Sequence, residues 1–126
     1  MEITQMMTHL HTLNVLVVED GNDIRDIISS TFNKLFKNTL TAVDGLDGLE
    51  KFKSNKPDIV ITDIRMPNMS GNEMIDEIKK IDPSVPIIVV TGHGRLIKKT
   101  NQADMFLDKP IKFNKLIEAI YEFTHK

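Results

Sequence analysis

Residues 14–26, NVLVVEDGNDIRD, place two adjacent carboxylates directly after a short apolar run. The run Val15–Val18 consists of valine and leucine and shows no alternation of apolar and polar residues. That pattern is typical of a strand that is covered on both faces, as in a parallel sheet. Glu19 and Asp20 end the strand, and a helical pattern begins within a few residues. The stretch therefore predicts a strand-to-helix turn that carries two negative charges.

Four further strands are predicted along the chain. Two are apolar runs like the first, Ile59–Thr62 and Ile87–Val90. Two are weaker, Thr39–Val43 and Met105–Leu107. Their lengths of three to five residues fit strands better than buried helices, which need longer apolar patterns.

Amphipathic stripes at helical spacing separate most of these strands. They begin at Ile24, Leu46, Met74 and Phe113, and their apolar members are expected to face the core. Between the fourth and fifth strands, two early glycines and a weak apolar stripe predict a helix of one to two turns at most. This strand–helix alternation indicates right-handed crossovers and a single doubly wound α/β sheet with helices on both faces.

Composition restricts the class of protein. The chain has 126 residues, the size of one domain, with 40% hydrophobic and 27% charged residues. Sixteen Lys and Arg against 18 Asp and Glu give a net charge of −2, which argues against a dedicated nucleic-acid binder. The absence of cysteine excludes disulfides and thiolate metal sites, and no apolar run is long enough to span a membrane. We expect a cytoplasmic protein.

The N-terminus, MEITQMMTHLHTL, has polar residues where a signal peptide would need an unbroken apolar core. We expect residues 1–12 to be a loose or accessory extension and residues 13–126 to form the domain. His9, His11 and His125 lie near the chain ends, away from any motif, and are expected to be solvated.

Chemically active side chains follow the strand ends. In a doubly wound sheet, ligands bind beyond the carboxyl ends of the strands. Asp63 follows the third strand, Thr91 the fourth and Lys109 the fifth. With Glu19 and Asp20, they bring three carboxylates to one edge, and close carboxylates repel each other by on the order of several kcal/mol per pair. Oxygen ligands without nitrogen or sulfur select Mg²⁺, so the sequence predicts a Mg²⁺ site shared by the three acids.

These segments resemble the receiver domain of two-component response regulators over residues 13–125. VVED matches the acid pair after the first strand, and ITDIRMPNMSG matches the phosphoacceptor segment, with Asp63. VVTG matches the hydroxyl position, and FLDKP matches the lysine position. Phe106, three residues before Lys109, falls at the switch aromatic. The resemblance implies a flavodoxin-like sheet of order 2-1-3-4-5 and, as phosphodonor, a sensor histidine kinase or a phosphotransfer protein.

The resemblance also implies a role for each acid and for the lysine. Asp63 would receive the phosphoryl group and, with Asp20 and the backbone carbonyl of Arg65, ligate Mg²⁺. Glu19 would act mainly through a metal-bound water. Lys109 would pair with Asp63 and then with a phosphoryl oxygen, which agrees with the charge neutralisation that phosphoryl transfer needs.

Further roles follow from the same resemblance. Thr91 would hydrogen-bond another phosphoryl oxygen and, with Phe106, switch the domain between two conformations. Arg65 and His93 lie two residues past Asp63 and Thr91, at positions that flank the phosphoryl group, and are expected to tune its loss to water.

The sequence departs from the family between Thr91 and Lys109. This segment is about one helical turn shorter than is usual, so we expect a shortened fourth helix. Gly92 stands where alanine is more common, and Phe106 lacks a tyrosine hydroxyl. These differences leave the phosphorylation chemistry intact and change the surface that such domains commonly use for output.

Other functions remain as alternatives. A degenerate receiver that only binds a partner would share the fold, although every chemical residue is present here. A haloacid-dehalogenase-like phosphohydrolase would also combine an aspartate nucleophile with threonine, lysine and Mg²⁺. That family has Asp-x-Asp after its first strand, whereas this chain has Glu-Asp-Gly-Asn. We therefore favour a receiver that is not an enzyme beyond its own phosphotransfer and slow dephosphorylation, and that contacts neither nucleic acid nor membrane.

Overall fold

Five strands and five helices make up the part of the chain that the computed structural model describes, residues 2–92 and 102–125. The strands are β1 (Asn14–Val18), β2 (Asn38–Ala42), β3 (Ile59–Thr62), β4 (Ile87–Thr91) and β5 (Met105–Asp108). The helices are α1 (Ile3–Leu10), α2 (Asn22–Phe32), α3 (Gly45–Asn55), α4 (Gly71–Ile81) and α5 (Phe113–Thr124). Each predicted strand is present, with ends that differ from the prediction by at most one residue. No helix in this part of the chain is long and apolar enough to cross a membrane.

All five strands run parallel in one sheet of order β2-β1-β3-β4-β5, as predicted. Val18 at the end of β1 pairs with Ala42 on one side and with Thr62 on the other. The carboxyl ends of these three strands are therefore level. The chain leaves β1 and β3 towards opposite faces of the sheet, so a crevice opens between the two strands, where doubly wound folds bind ligands.

Each face of the sheet is covered by helices and buried apolar side chains. On one face, α1, α2 and α5 pack over β1, where Val15, Phe32 and Ile120 are fully buried. On the other face lie α3 and α4, with Leu16 and Met74 fully buried. Successive residues of β1 point to opposite faces, and both faces are buried. This explains why the sequence of β1 does not alternate.

Several apolar residues predicted to face the core lie on the surface instead. Ile24 and Ile27 of α2 are 37% and 58% exposed, whereas Ile28 of the same stripe is buried. Leu46 and Ile81 are also exposed. The apolar stripe of α2 is wider than its contact with the sheet, so it combines a core face with an exposed apolar edge.

Of the loose or accessory extension predicted for residues 1–12, most is not loose. Ile3–Leu10 form the helix α1, and Leu10 is fully buried. His9 Nε2 lies 2.8 Å from Thr124 Oγ1 on α5. Polar residues interrupt the apolar positions of this segment, so the sequence does not show which face of α1 is buried. That face is set by the packing of α1 on α5.

His9 is also not the solvated histidine that the sequence indicated. Its ring meets those of Tyr121 and His125 edge-on, each at a centroid distance of 5.2 Å. Burial, and then the charge of His125, lower the pKa of His9, and the charge of Asp58 acts in the opposite direction. The neutral imidazole is therefore the form that fits between α1 and α5.

Two predictions fall outside the described residues. The short helix expected between β4 and β5 falls on residues 93–101, and His93 belongs to the same stretch.

Candidate functional site at the carboxyl edge of the sheet

Lys109 joins two acidic side chains that come from different strands. Its Nζ donates to Asp63 Oδ2 at 2.7 Å and to Glu19 Oε1 at 3.0 Å. Asp63 and Glu19 lie 46 and 90 residues before Lys109 in the chain. Each of the three follows a strand of the parallel sheet, so the fold brings them to one edge as the sequence analysis predicted.

The second oxygen of each acid is held by a backbone amide. Asp63 Oδ1 accepts a hydrogen bond from the N–H of Ile64 at 2.6 Å. Glu19 Oε2 accepts one from the N–H of Gly21 at 3.0 Å. The Glu19 and Asp63 side chains are only 7% and 11% exposed. Both carboxylates are therefore oriented on two sides, by the lysine and by their own turns, before any ligand arrives.

Lys109 carries a stable positive charge in this site. Burial lowers the pKa of its ammonium, but the hydrogen bonds and charges of Asp63 and Glu19 raise it more, so the net pKa lies above its usual value. The backbone N–H of Lys109 donates to the carbonyl oxygen of Thr91 at 3.0 Å. Thr91 is itself buried at the end of β4, so the predicted hydroxyl residue is adjacent to the lysine.

Asp20 differs from the other two acids because it is exposed. Within residues 2–92 and 102–125, its carboxylate has no hydrogen bond and no ion pair. The turn that carries it is fixed through the backbone, since Arg25 Nη1 donates to the carbonyl oxygen of Glu19 at 2.9 Å. Asp20 is therefore the acid with free oxygens at the open side of the site.

The loop after β3 leaves Asp63 and returns to it. Gly71 N–H donates to the carbonyl oxygen of Ile64 at 2.7 Å, which closes the loop. A Cβ at Gly71 would lie 2.1 Å from the carbonyl oxygen of Asp63, so a side chain here would displace the backbone of the acid. Arg65, whose carbonyl is a predicted metal ligand, lies in this loop with an exposed side chain.

Phe106 lies apart from the ionic cluster. It pairs with Val89 in the sheet and is half-buried against the core on the α3 and α4 side. Thr91, the other predicted switch residue, pairs with Asp108 on the same pair of strands. The structure thus places both predicted switch residues on β4 and β5, and of the two it is Thr91 that lies beside Lys109.

The three acids supply the kind of donor that Mg²⁺ prefers, since all are carboxylate oxygens. No three acidic or histidine side chains of the described residues, however, lie close enough together to form a metal-binding group. Glu19 and Asp63 point to Lys109 instead. Three carboxylates and one ammonium leave two negative charges, which is the charge that a divalent cation neutralises. The donor set therefore fits Mg²⁺ by chemistry and charge.

Two residues that support the site were not predicted from the sequence. Arg25 fixes the turn that follows β1, as described above. Asp44, in the turn after β2, is only 7% exposed and accepts a hydrogen bond from Asn68 Nδ2 at 2.6 Å. In the sequence, Asp44 is marked only by its position before a helical pattern, where an aspartate caps the helix. Its bond to Asn68 joins two separate loops, and such a bond leaves no periodic pattern of residues.

Comparison with known proteins agrees with this fold. The profile of the response regulator receiver domain matches residues 15–121. The chemotaxis protein CheY of Thermotoga maritima is 36% identical over 112 residues, which cover 84% of this chain and 92% of CheY. A receiver domain structure from Clostridium thermocellum has 34% identity and a TM-score of 0.81, and the match covers 88% of this chain and 93% of that one.

The response regulator TrrA of Thermotoga maritima, solved in complex with Mg²⁺ and BeF, is similar too. It has 33% identity and a TM-score of 0.79, and the match covers 87% of this chain and 97% of TrrA. Some relatives are much longer. The chain spans 7% of a hybrid signal transduction histidine kinase from Dictyostelium discoideum and 25% of the transcriptional regulatory protein GlrR from Escherichia coli. The profile match covers most of the sequence, and the strand order agrees with it, so this chain belongs to the response regulator receiver domain family.

Proposed function

We propose that this chain accepts a phosphoryl group on Asp63 from a histidine donor, with Mg²⁺, as the receiver of a two-component signalling system. The observation that carries the proposal is the contact of Lys109 Nζ with Asp63 Oδ2 at 2.7 Å. A carboxylate that is oriented by a lysine and by the N–H of Ile64 at an open crevice is arranged to act as a nucleophile rather than as a surface ion pair.

The proposed reaction is a displacement at phosphorus. A carboxylate oxygen of Asp63 forms a bond to phosphorus, the bond between phosphorus and the donor imidazole nitrogen breaks, and the electron pair stays on that nitrogen. Such transfers depend mainly on positioning and on neutralisation of charge. Asp20, Asp63 and the backbone carbonyl of Arg65 would hold Mg²⁺, which would supply part of that neutralisation, and Glu19 would assist through a water.

The remaining residues act on the phosphorylated state. Lys109 exchanges its contact with the carboxylate for one with a phosphoryl oxygen, and Thr91 donates to another oxygen. Movement of the Thr91 side chain leaves space for Phe106 to turn inward, which links the site to the surface of β5. Arg65 and His93 control the access of water to the phosphoryl group and so the lifetime of the signal.

A histidine kinase or phosphotransfer protein would reach Asp63 across an apolar groove next to Lys109. The groove is lined by Ile24 and Ile27 of α2 and by Pro110 and Ile111, together with Lys109 itself. A donor helix with an apolar face on either side of its phosphohistidine would fit this surface, because such a face covers the exposed isoleucines while the imidazole points towards the lysine.

The test of the proposal is the intact mass of the protein after incubation with acetyl phosphate and Mg²⁺. Wild type should gain one phosphoryl group that is stable in acid and lost in base, and Asp63→Asn should gain none. Asp76→Asn is the matched control, because Asp76 is an exposed aspartate on α4. An equal phosphorylated fraction in Asp63→Asn and wild type would exclude Asp63 as the acceptor. A wild type that gains no phosphoryl group would favour a degenerate receiver that only binds a partner.

A further inference from the structure

The turn between β2 and α3 contacts the loop that follows the phosphoacceptor. Asp44 Oδ1 accepts a hydrogen bond from the N–H of Asp47 at 2.8 Å, which caps α3. Asp44 Oδ2 accepts one from Asn68 Nδ2 at 2.6 Å. The first of these bonds and then the second lower the pKa of Asp44, so it is ionised at neutral pH. This buried carboxylate links two loops and has no part in the chemistry proposed above.

The fit between the two loops is close because one of the contacting residues is glycine. The N–H of Gly45 donates to the carbonyl oxygen of Met69 at 3.0 Å. A Cβ at Gly45 would lie 2.3 Å from the same oxygen. The close approach of Gly71 to Asp63 holds the two ends of the loop together. The bond between Gly45 and Met69 holds its middle against the turn after β2.

Asn68 holds an unusual backbone conformation at the centre of this contact. Its φ of 66° is in the left-handed region, which asparagine enters more readily than most residues. Earlier in the loop, Arg65 and Pro67 are exposed. Within the described ranges 2–92 and 102–125, the bond from Asn68 to Asp44 is the one side-chain hydrogen bond that ties residues 65–69 to another element. It acts together with the backbone bond from the N–H of Gly45 to the Met69 carbonyl oxygen to hold the middle of the loop.

We propose that Asp44 is a positioning residue for the Mg²⁺ site, which acts through Asn68 to hold the Arg65 carbonyl oxygen towards the metal. This inference rests on the proposed function, because it takes Arg65 as a metal ligand. Residues that orient metal ligands typically change metal affinity by about 10–100-fold when they are removed. We expect the lower end, about 10-fold, because Asp44 acts on one backbone ligand and only through Asn68.

The experiment measures the Kd for Mg²⁺ of the whole chain by titration followed with amide NMR shifts. Asp44→Ala and Asn68→Gly should each weaken binding by about 10-fold. Glycine is chosen at residue 68 because it accepts a positive φ without strain. The double variant should bind no more weakly than either single one, since both remove the same bond. Phosphorylation by acetyl phosphate should fall at limiting Mg²⁺ and return to the wild-type level at saturating Mg²⁺.

Two control variants separate the bond from other effects of Asp44. Asp44→Asn removes the charge but keeps a bridge, because its oxygen still accepts from the N–H of Asp47 and its amide can donate to a reversed Asn68 amide. It should retain most of the Mg²⁺ affinity. Asp47→Ala removes the side chain that accepts from the N–H of Val43 and keeps the backbone N–H that Asp44 needs. It should alter stability without altering the Kd for Mg²⁺.

Hydrogen exchange provides a readout that needs neither metal nor phosphodonor. Amides of residues 65–70 should exchange faster in Asp44→Ala and Asn68→Gly than in wild type, Asp44→Asn or Asp47→Ala. If Asp44→Ala fails to fold, Asn68→Gly decides alone, because it leaves the cap of α3 in place.

The positioning role would be overturned if Asp44→Ala and Asn68→Gly, or whichever of them folds, bound Mg²⁺ within about twofold of the wild-type affinity. The positioning role would also be overturned if Asp44→Asn lost as much Mg²⁺ affinity as Asp44→Ala while Asn68→Gly kept the wild-type affinity. The charge of Asp44 alone would then explain the effect. If wild type binds Mg²⁺ but accepts no phosphoryl group, the proposed function is overturned. The Mg²⁺ affinities of the variants then still decide whether Asp44 positions the metal site. A wild type that binds no Mg²⁺ would overturn both.

Discussion

The two edges of the sheet are held by different kinds of interaction. At the carboxyl edge, Lys109 bridges Asp63 and Glu19, and the acids outnumber the cation. At the amino edge, α1 is joined to α5 by the contact of His9 with Thr124 and by packing of the His9 ring on Tyr121. The first edge keeps an excess of negative charge that favours a cationic ligand. The second adds contacts that suit a neutral imidazole and that hold α1 on α5.

This difference separates the expected effects of mutations. At the carboxyl edge, removal of an acid should relieve repulsion and abolish a ligand response. At the amino edge, removal of a contact should lower stability and leave any ligand response unchanged. Functional sites commonly trade stability for chemistry in this way, and the two edges allow the two effects to be measured in one small domain.

The largest effect on stability is expected for Lys109→Met. Loss of the ammonium leaves two nearly buried carboxylates without their cation, and an unpaired buried group costs about 1–3 kcal/mol. Mg²⁺ should restore part of this loss, because it supplies the missing positive charge. Urea denaturation with and without Mg²⁺ measures both effects. His9→Ala is the comparison at the amino edge: it should lose about 0.5–1.5 kcal/mol and regain none of that loss with Mg²⁺. If Mg²⁺ restored the stability of Lys109→Met and His9→Ala to a similar extent, the two edges would not differ in their response to the cation.

The next effect is the response of the thermal midpoint to Mg²⁺. At a concentration ten times the Kd, binding should stabilise wild type by about 1.4 kcal/mol. Asp20→Ala should lose this response and be at least as stable as wild type without metal, because its removal leaves fewer like charges near Glu19 and Asp63. Asp23→Ala, which removes an exposed acid in the first turn of α2, should keep the response. An Mg²⁺ shift in Asp20→Ala equal to that of wild type would exclude Asp20 as a ligand.

A smaller effect is expected from pH at the amino edge. The pKa of His9 is lowered below its ordinary value of 6.5, so the unfolded chain binds the proton more readily than the folded one. The contribution of neutral His9 is therefore complete above pH 6.5 and is lost as the pH falls from there through the folded pKa. His9→Gln, which can still pair with Thr124 but does not titrate, should flatten this dependence. An equally steep decline in wild type and His9→Gln, measured by denaturation between neutral and acidic pH, would contradict the role of His9.

The same two edges differ in how far the sequence predicts them. A strand end fixes a sheet edge, so Glu19, Asp63 and Lys109 could be located from apolar runs alone, and the motifs around them identified the family. The helix α1 could not be located in this way, because its burial depends on the face that α5 presents. The width of an apolar stripe likewise does not reveal which part touches the sheet, which is why Ile24 was wrongly assigned to the core.

The bond between Asp44 and Asn68 shows a second limit of the sequence. Asp44 has a local signal, since an aspartate before a helical pattern is a common cap, and α3 does begin there. Its second bond joins loops 24 residues apart that share no pattern. Contacts of this kind depend on how two loops approach each other, and that approach is set by the packing of α3 and α4 rather than by either loop.

The smallest effect that we predict concerns Arg65 and the lifetime of the phosphorylated state. The Arg65 side chain is exposed and has no hydrogen bond within residues 2–92 and 102–125, so its loss should leave stability and Mg²⁺ binding nearly unchanged. A long cation beside the phosphoryl group shields it from water, and Arg65→Ala should therefore speed hydrolysis by somewhat more than about twofold, a change of about 0.4 kcal/mol in the barrier. The decay of radiolabelled phosphoprotein measures this, with Arg65→Lys as the variant that keeps the charge and most of the length. Decay in Arg65→Ala at the wild-type rate would show that the Arg65 side chain does not set the lifetime of the phosphorylated state.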